Sequence, residues 1–226
     1  METVYITLGW AQSLDGRIAT ITGDSRWISS NATLKLAHRL RRDNDAILVG
    51  IGTVLKDDPE LTCRLLRNCR NPVRVVLDTN LHLPSDSRIA RTAREVRTVV
   101  FVGKNRYDPA RRTERELQGL EIREAELDGR GRLDLFDVME KLGDMGVRRL
   151  FVEGGSAVLT SFLQNRLFDR LIVVTAPLLL GKGIPAVGDL GVQVLSDALR
   201  PEQVRVRKMG SDIVWDLSFR RKGDHG

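Results

Sequence analysis

The chain has 226 residues, 42% of them hydrophobic and 29% charged. That is enough to bury a full core without metals or disulfides, and too ordinary a balance for a disordered, collagen-like or membrane-spanning chain. The formal net charge of +6 favours phosphate-bearing ligands, but the arginines cluster only at Arg39-Arg41-Arg42 and in the Arg220-Arg221-Lys222 tail, so nucleic acid is not an expected partner.

Taken from the start, Val4, Ile6 and Leu8 alternate with polar residues, the period of a strand with one buried face. The stretch Met1 to Leu8 has no uninterrupted apolar segment after a basic start and does not read as a signal peptide. No later apolar run reaches the ~18 residues of a membrane span, so a cytoplasmic protein without membrane partners is expected. A turn follows at Asp15-Gly16. Ser29, Ser30 and Asn31 are capping residues ahead of Ala32, Leu36, Ala37 and Leu40, whose spacing predicts a helix ending near Asp43.

Short apolar runs at Ala46 to Val49, Val73 to Leu77, Val99 to Val102, Leu150 to Val152 and Leu171 to Val174 show little alternation. They predict strands covered on both faces, as in a parallel sheet. Helical spacing appears at Thr113 to Leu117, at Leu135 to Leu142 and at Ala157 to Leu163. Part of the Tyr107 to Arg132 stretch is expected to be mobile. Val204 and Val206, then Ile213, Trp215, Leu217 and Phe219, alternate around Gly210-Ser211-Asp212 and predict an antiparallel hairpin ending the sheet. The whole reads as one α/β domain over residues 1–226, with 220–226 as a flexible tail.

In an open α/β sheet, ligands bind beyond the carboxyl ends of the strands. Three turns there contain glycine. Gly50-Ile51-Gly52-Thr53 offers close backbone approach, a hydroxyl and a helix start for an anion, although Leu55 stands where a dinucleotide fingerprint has its third glycine. Glu153-Gly154-Gly155-Ser156 offers the same, or else a tight connection with a capping serine. Gly181-Lys182-Gly183 reads as structural. Asp57-Asp58 before Pro59 reads as a solvated turn or as a carboxylate pair. His38, His82 and His225 are far apart, and Cys63 and Cys69 lack partners at zinc spacing, so no metal is expected and the cysteines are read as unpaired thiols.

Several segments in order carry a resemblance. They are Ala11-x-Ser13-Leu14-Asp15-Gly16-Arg17-Ile18-Ala19, Asp24-Ser25-Arg26-Trp27-Ile28-Ser29, the stretch from Gly50 through Asp57-Asp58-Pro59 to Leu61-Thr62-x-Arg64, Pro72 to Asp78, and Glu153-Gly154-Gly155. Together they resemble the riboflavin-biosynthesis pyrimidine reductase family. The resemblance implies a dihydrofolate-reductase-like fold, a twisted mostly parallel sheet flanked by helices, assembled as a homodimer. It implies NADPH as cofactor, or NADH in its place, and a phosphorylated ribosylaminopyrimidine as small-molecule substrate.

By position, Ala11, Trp27, Thr53 and Asp57 correspond to the nicotinamide side, with Gly52 also assigned to the cofactor site. Thr79 and Asn80 correspond to the adenosine end, and Gly154, Gly155, Ser156, Ala157 and Val158 to the pyrophosphate loop. Ser25, Arg41, Leu61, Arg64 and Glu153 correspond to substrate contacts, with Arg41, Arg64 and Ser25 expected on the phosphate and sugar because arginine suits bidentate phosphate binding. The catalytic residues are not identified, with Asp57 and Glu153 as candidate proton donors. Gly9 stands where many bacterial members have lysine. That departure, with Ile51, Lys56 and Ala19-Thr20-Ile21, resembles the archaeal and fungal branch, which reduces 2,5-diamino-6-ribosylamino-4(3H)-pyrimidinone 5′-phosphate before deamination. The alternatives are the deaminated 5-amino-6-ribosylaminouracil 5′-phosphate, a pterin reduced on the same scaffold, and a basic nucleic-acid-binding module.

Overall fold

The computed structural model describes residues 3–25, 28–67 and 69–219. Trp27 and the expected 220–226 tail lie outside the described residues. In chain order the elements are strands β1 (Tyr5–Ser13) and β2 (Arg17–Thr20), helix α1 (Asn31–Arg42), β3 (Ala46–Gly50), α2 (Ile51–Asp57), β4 (Val73–Leu77), α3 (Arg88–Arg91), β5 (Thr98–Gly103), α4 (Pro109–Leu117), β6 (Glu121–Ala125), α5 (Leu135–Asp144), β7 (Arg149–Gly154), α6 (Ser156–Gln164), β8 (Arg170–Ala176), β9 (Gly183–Pro185), β10 (Gln203–Met209) and β11 (Asp212–Ser218). They group into two compact units, Met1–Val4 with His38–Phe151, and Tyr5–Ala37 with Val152–Gly226.

In the first unit β3, β4, β5 and β6 lie side by side in that order, all parallel. Ala46 to Val49 and Val99 to Val102 are each 0% exposed, the two-sided burial that their unbroken apolar runs predict. Register puts Gly50 opposite Leu77 and Leu77 opposite Phe101, so the turns leaving β3, β4 and β5 start from one end of the sheet. Tyr107 to Arg132, expected to be partly mobile, carries α4, β6 and a Leu127–Leu133 bridge. The charged sequence of β6 masks a strand that is held by backbone pairing to β5.

Arg74 of β4 is fully buried. Its Nε donates to Thr98 Oγ1 at 2.8 Å, Nη1 to Thr92 Oγ1 at 2.8 Å and to the Glu60 carbonyl at 3.4 Å, and Nη2 to the Ile89, Thr92 and Val96 carbonyls at 3.2, 3.1 and 2.9 Å. Burial pulls its pKa down to about 10, against the opposing charge of Glu95. A buried cation is tolerated only with its donors satisfied, so this one arginine fixes α3 and the loop after α2 to the sheet.

That loop holds a correction to the sequence reading. Cys63 and Cys69 are joined by a disulfide and are not free thiols. The Cys63 amide donates to Asn71 Oδ1 at 3.0 Å, which folds the segment back on itself. A spacing of six residues fits either state, and only the path of the loop brings the two sulfurs together.

In the second unit the order is β10-β11-β8-β1, with β1 parallel to β8 and β11 antiparallel to both β8 and β10. The predicted hairpin turns at Gly210-Ser211, where Gly210 has φ +64°. Alternation did not foretell burial at either end: Ile6 to Gly9 are all buried, whereas Val204 and Val206 are 54% and 52% exposed. Asp212 leaves the hairpin to hold the start of α1, accepting from the Ser30 amide at 2.8 Å and the Thr33 hydroxyl at 2.7 Å. Burial raises its pKa, but these hydrogen bonds outweigh it and hold the carboxylate below its ordinary range.

A separate antiparallel pair, β2 with β9, follows the Asp15-Gly16 turn. Asp15 Oδ1 accepts from the Ser13 hydroxyl at 2.6 Å and the Leu180 amide at 3.1 Å, and Oδ2 from the Gly181 amide at 2.7 Å. The Ser13 hydrogen bond first, then those from Leu180 and Gly181, bring its pKa down to about 2. The Gly181-Lys182-Gly183 turn is thereby explained as structure.

Two outcomes are expected. Closing so short a loop constrains the unfolded chain by about 2 kcal/mol, so Cys69→Ser should lower urea-unfolding stability by that order, and a reductant should do the same to the parent but nothing further to the variant. Because the Asp15 pKa is depressed on folding, its tie is complete above the unfolded carboxylate value of ~3.9 and is lost as pH falls through about 2. The Gly181 amide resonance should therefore titrate with a midpoint near the folded value, and Asp15→Asn should abolish that titration.

Candidate active site

Helices leave amides at their first turn without intrahelical partners. Three helices here answer with a side chain: Ser87 accepts from the Ala90 amide at α3, Asp108 from Ala110 at α4, and Asp134 from Phe136 at α5. The two that begin at the predicted glycine turns do not. Gly50 caps α2 and Gly155 caps α6, neither with a side-chain hydrogen bond. Ser156 is the first residue of α6 and not its cap, which disposes of the capping-serine reading. A glycine-led start with open amides suits an anion such as a pyrophosphate.

In the first unit, Gly52 is exposed and a Cβ built on it would meet nothing within 4 Å. Thr53 beside it is half-buried, and Asp57 is exposed at the end of α2. Asp58 takes the left-handed conformation, φ +37°, its amide donating to the Val54 carbonyl and its Oδ1 accepting from the Arg88 amide at 2.7 Å. Of the two adjacent aspartates, Asp58 is thus a turn-builder.

The loop beyond it carries the substrate candidates. Leu61 has φ +53° and is 2% exposed, so its side chain packs inside and its main chain is what the loop presents. Arg41 is 8% exposed and donates to the Thr62 carbonyl at 3.0 Å, tying α1 to this loop. Arg64 is exposed, within 3.2 Å of Glu60. Glu60 also faces Arg88 at 3.4 Å. The structure brings Arg41, Leu61 and Arg64 to one loop, and of the two candidate arginines Arg41 is buried and Arg64 exposed.

Where β4 ends, Asp78 is fully buried, and its Oδ2 accepts from the Leu83 amide at 2.8 Å. Burial pushes its pKa up, countered by the backbone amides of His82, Leu83 and Asn80. It thus shapes the turn that carries Thr79 and Asn80. The Thr79 carbonyl accepts from the Gly103 amide at 3.0 Å, which joins this turn to the end of β5. Beside Asn80 opens a cleft of about 550 Å³ that also takes in His82, Asn105, Arg106 and Arg111. Sequence reasoning missed these residues. The available signal was position: Gly103-Lys104-Asn105-Arg106 leaves a strand at its carboxyl end, as the three inspected turns do.

In the second unit, Ala11 lies on β1 opposite Val174 of β8, and Ser25 is half-buried in the loop ahead of α1. Glu153 is half-buried near the end of β7. Gly154 follows with φ +113° and a cis peptide to Gly155. In α6, Ser156 and Val158 are half-buried and Ala157 is exposed. The Gly155 carbonyl accepts from the Leu159 amide at 3.0 Å.

Comparison with known proteins identifies the family and fold. The chain is 39% identical over 220 residues to the riboflavin biosynthesis protein RibD of Aquifex aeolicus, covering 97% of this chain and 58% of that protein. It is 38% identical over 220 residues to the 2,5-diamino-6-ribosylamino-4(3H)-pyrimidinone 5′-phosphate reductase of Methanothermobacter thermautotrophicus, covering 96% of this chain and 98% of that one. Among solved structures, the Thermotoga maritima diaminohydroxyphosphoribosylaminopyrimidine deaminase/5-amino-6-(5-phosphoribosylamino)uracil reductase superposes with a TM-score of 0.77 at 30% identity, over 96% of this chain and 56% of that one. Enterococcus faecalis dihydrofolate reductase, 12% identical, superposes with a TM-score of 0.53 over 95% and 96% of the two chains, so the fold is dihydrofolate-reductase-like. The chain spans little more than half the length of the RibD proteins it matches. The sequence pattern of the RibD C-terminal domain matches residues 4–215, and the chain belongs to that family.

Proposed function

We propose that the protein is an NADPH-dependent reductase that converts the ribosyl group of 2,5-diamino-6-ribosylamino-4(3H)-pyrimidinone 5′-phosphate into a ribityl chain. The observation that carries the reading is the contrast in helix starts: side-chain caps at α3, α4 and α5, glycine caps without them at α2 and α6. The choice of the diaminopyrimidine is supported by the similarity to the archaeal reductase and by Gly9 in place of a lysine. Cytoplasmic location, a homodimer and a single functional domain belong to the same proposal.

In the ribosylamine, the nitrogen lone pair can expel the ring oxygen from C1′. The oxygen takes up a proton and the nitrogen gives one up, leaving an imine. Bound reduced nicotinamide supplies a hydride for C1′, and the nitrogen then takes a proton to give the ribityl amine. The chain's share is mainly alignment, worth up to ~7–11 kcal/mol at ideal geometry. On this reading Gly52 and Thr53 at the α2 start of the first unit, and Gly154 to Val158 at the α6 start of the second, are each cofactor-binding segments, and the family resemblance assigns Ala11 and Trp27 to the nicotinamide side. Thr79 and Asn80 meet the adenosine.

Arg64 of the first unit and, separately, Ser25 of the second are the residues assigned to the sugar phosphate. Arg41 acts through the Thr62 carbonyl, and Leu61 contributes its main chain. Glu153 accepts from a sugar hydroxyl or pyrimidine amine, and either it or Asp57 serves the proton transfers.

A side-by-side assay of NADPH oxidation with the diamino and deaminated ribosylamine phosphates should show a clear preference for the diamino compound; equal rates or the reverse order would refute the choice of substrate. Arg64→Ala removes a charge-assisted contact and should raise KM for the sugar phosphate roughly 10- to 100-fold with NADPH affinity unchanged. An effect on NADPH alone would mean that the roles are exchanged. Gly155→Val should abolish the NADPH fluorescence titration while leaving the circular dichroism spectrum intact, and an undisturbed titration would remove Gly155 from the site.

A further inference from the structure

The stretch between α2 and β4, all within the first unit, carries the Cys63–Cys69 disulfide. The chain has no other cysteine, so only an external thiol can exchange with it. The two sulfurs are unequal. Cys63 is 0% exposed, whereas Cys69 is half-buried, so an incoming thiolate has a path to Cys69 Sγ. Arg67 and Arg70, both exposed, flank Cys69 in sequence, and positive charge nearby attracts a thiolate.

The loop has anchors that do not depend on the bond. Arg41 Nη1 donates to the Thr62 carbonyl at 3.0 Å, and the Cys63 amide donates to Asn71 Oδ1 at 3.0 Å. The Arg70 carbonyl oxygen lies 3.2 Å from Cys63 Sγ and 3.7 Å from Cys69 Sγ, so a released thiol has an acceptor already in place. The enclosed segment is held less firmly. Among the described residues, the Leu66 amide donates to the Cys63 carbonyl at 3.2 Å, the Leu65 amide to His38 Nδ1 at 3.5 Å, and the exposed Arg64 pairs with Glu60 at 3.2 Å. A hydrogen bond that long and an exposed ion pair contribute little.

We propose that Cys63–Cys69 is a reversible thiol–disulfide modification site, opened by a small thiol at Cys69, and that its state sets how firmly Arg64 is presented. A thiolate attacks Cys69 Sγ and forms a mixed disulfide as the bond between the two cysteines breaks. Cys63 leaves with the electron pair and takes a proton. A second thiolate attacks the reductant's sulfur in the mixed disulfide and releases Cys69, which also takes a proton. Two thiols are thereby oxidised to their disulfide and the protein gains two electrons, and a small disulfide runs the same steps backwards. Opening removes the covalent restraint from Arg64 to Arg67 and leaves the anchors at Thr62 and Cys63 in place. The consequence for binding rests on the proposed role of Arg64: the ligand then has to order the loop itself, which weakens its binding.

The test treats the full chain with dithiothreitol or with oxidised glutathione, and reads alkylation by mass spectrometry, amide hydrogen exchange and steady-state kinetics. Dithiothreitol should open the bond without urea, with Cys69 alkylated before Cys63. Exchange at Leu65 and Leu66 should rise at least about tenfold while the Cys63 amide stays protected, and oxidised glutathione should reverse this. KM for the sugar phosphate should rise roughly three- to tenfold in the reduced form with NADPH affinity unchanged. Cys69→Ser should stay at the reduced values in both buffers. A bond that opens only in urea, or exchange at Cys63 that rises together with that of Leu65, would overturn the inference, since either marks a purely structural staple. Equal KM values in the two states, or a Cys69→Ser variant that still responds to the buffer, would overturn it as well. If neither state turns over the substrate, the reductase reading fails, and the exchange data alone decide the fate of the modification site.

Discussion

The two-sided burial of the strands in the first unit is the constraint on which the rest of its organisation depends. With Ala46 to Val49 and Val99 to Val102 fully out of solvent, no side chain within those runs can meet a ligand. Chemistry is confined to the turns that leave them. Parallel pairing then lines those turns up, since Gly50, Leu77 and Phe101 share one row of the register. The candidate cofactor residues Gly52, Thr53, Thr79 and Asn80 follow directly from that row, as does Arg106.

Turns placed in this way still need holding, and the protein does it with buried polar groups rather than more apolar contact. Arg74 ties Glu60 and α3 to β4 and β5, Asp78 shapes the turn at Thr79 and Asn80, and Arg41 grips the Thr62 carbonyl. Each is a group whose burial would be costly alone and is tolerated because it satisfies backbone donors or acceptors that the turn cannot pair internally. The disulfide between Cys63 and Cys69 adds a covalent restraint to the same loop. In the second unit, Asp15 and Asp212 do this for the Gly181 turn and the start of α1. Positioning and stability are thus carried by the same buried side chains.

The helix starts follow a related logic. An aspartate or serine cap satisfies one amide and, for aspartate, brings a negative charge to the helix start. Both features would compete with a bound phosphate. At α2 and α6 that competitor is absent, and glycine lets the backbone itself approach. The choice of capping residue therefore separates α2 and α6, whose starts are free of a side-chain competitor, from α3, α4 and α5.

Much of this was written locally in the chain. Apolar runs located β3, β4, β5, β7 and β8, helical spacing located α1, α5 and α6, and the ordered glycine motifs marked both uncapped starts, because periodicity and turn chemistry depend on near neighbours. Other features were decided only by distant segments meeting in the folded chain. Strand β6 exists by pairing with β5 and the short β2 by pairing with β9, the two cysteines met because their loop is folded back, and Arg41 and Leu61 turned inward although their residue types suit a ligand equally well. Arg106 lay outside every motif, and only the fold brings its stem over Gly103 at the edge of a cleft.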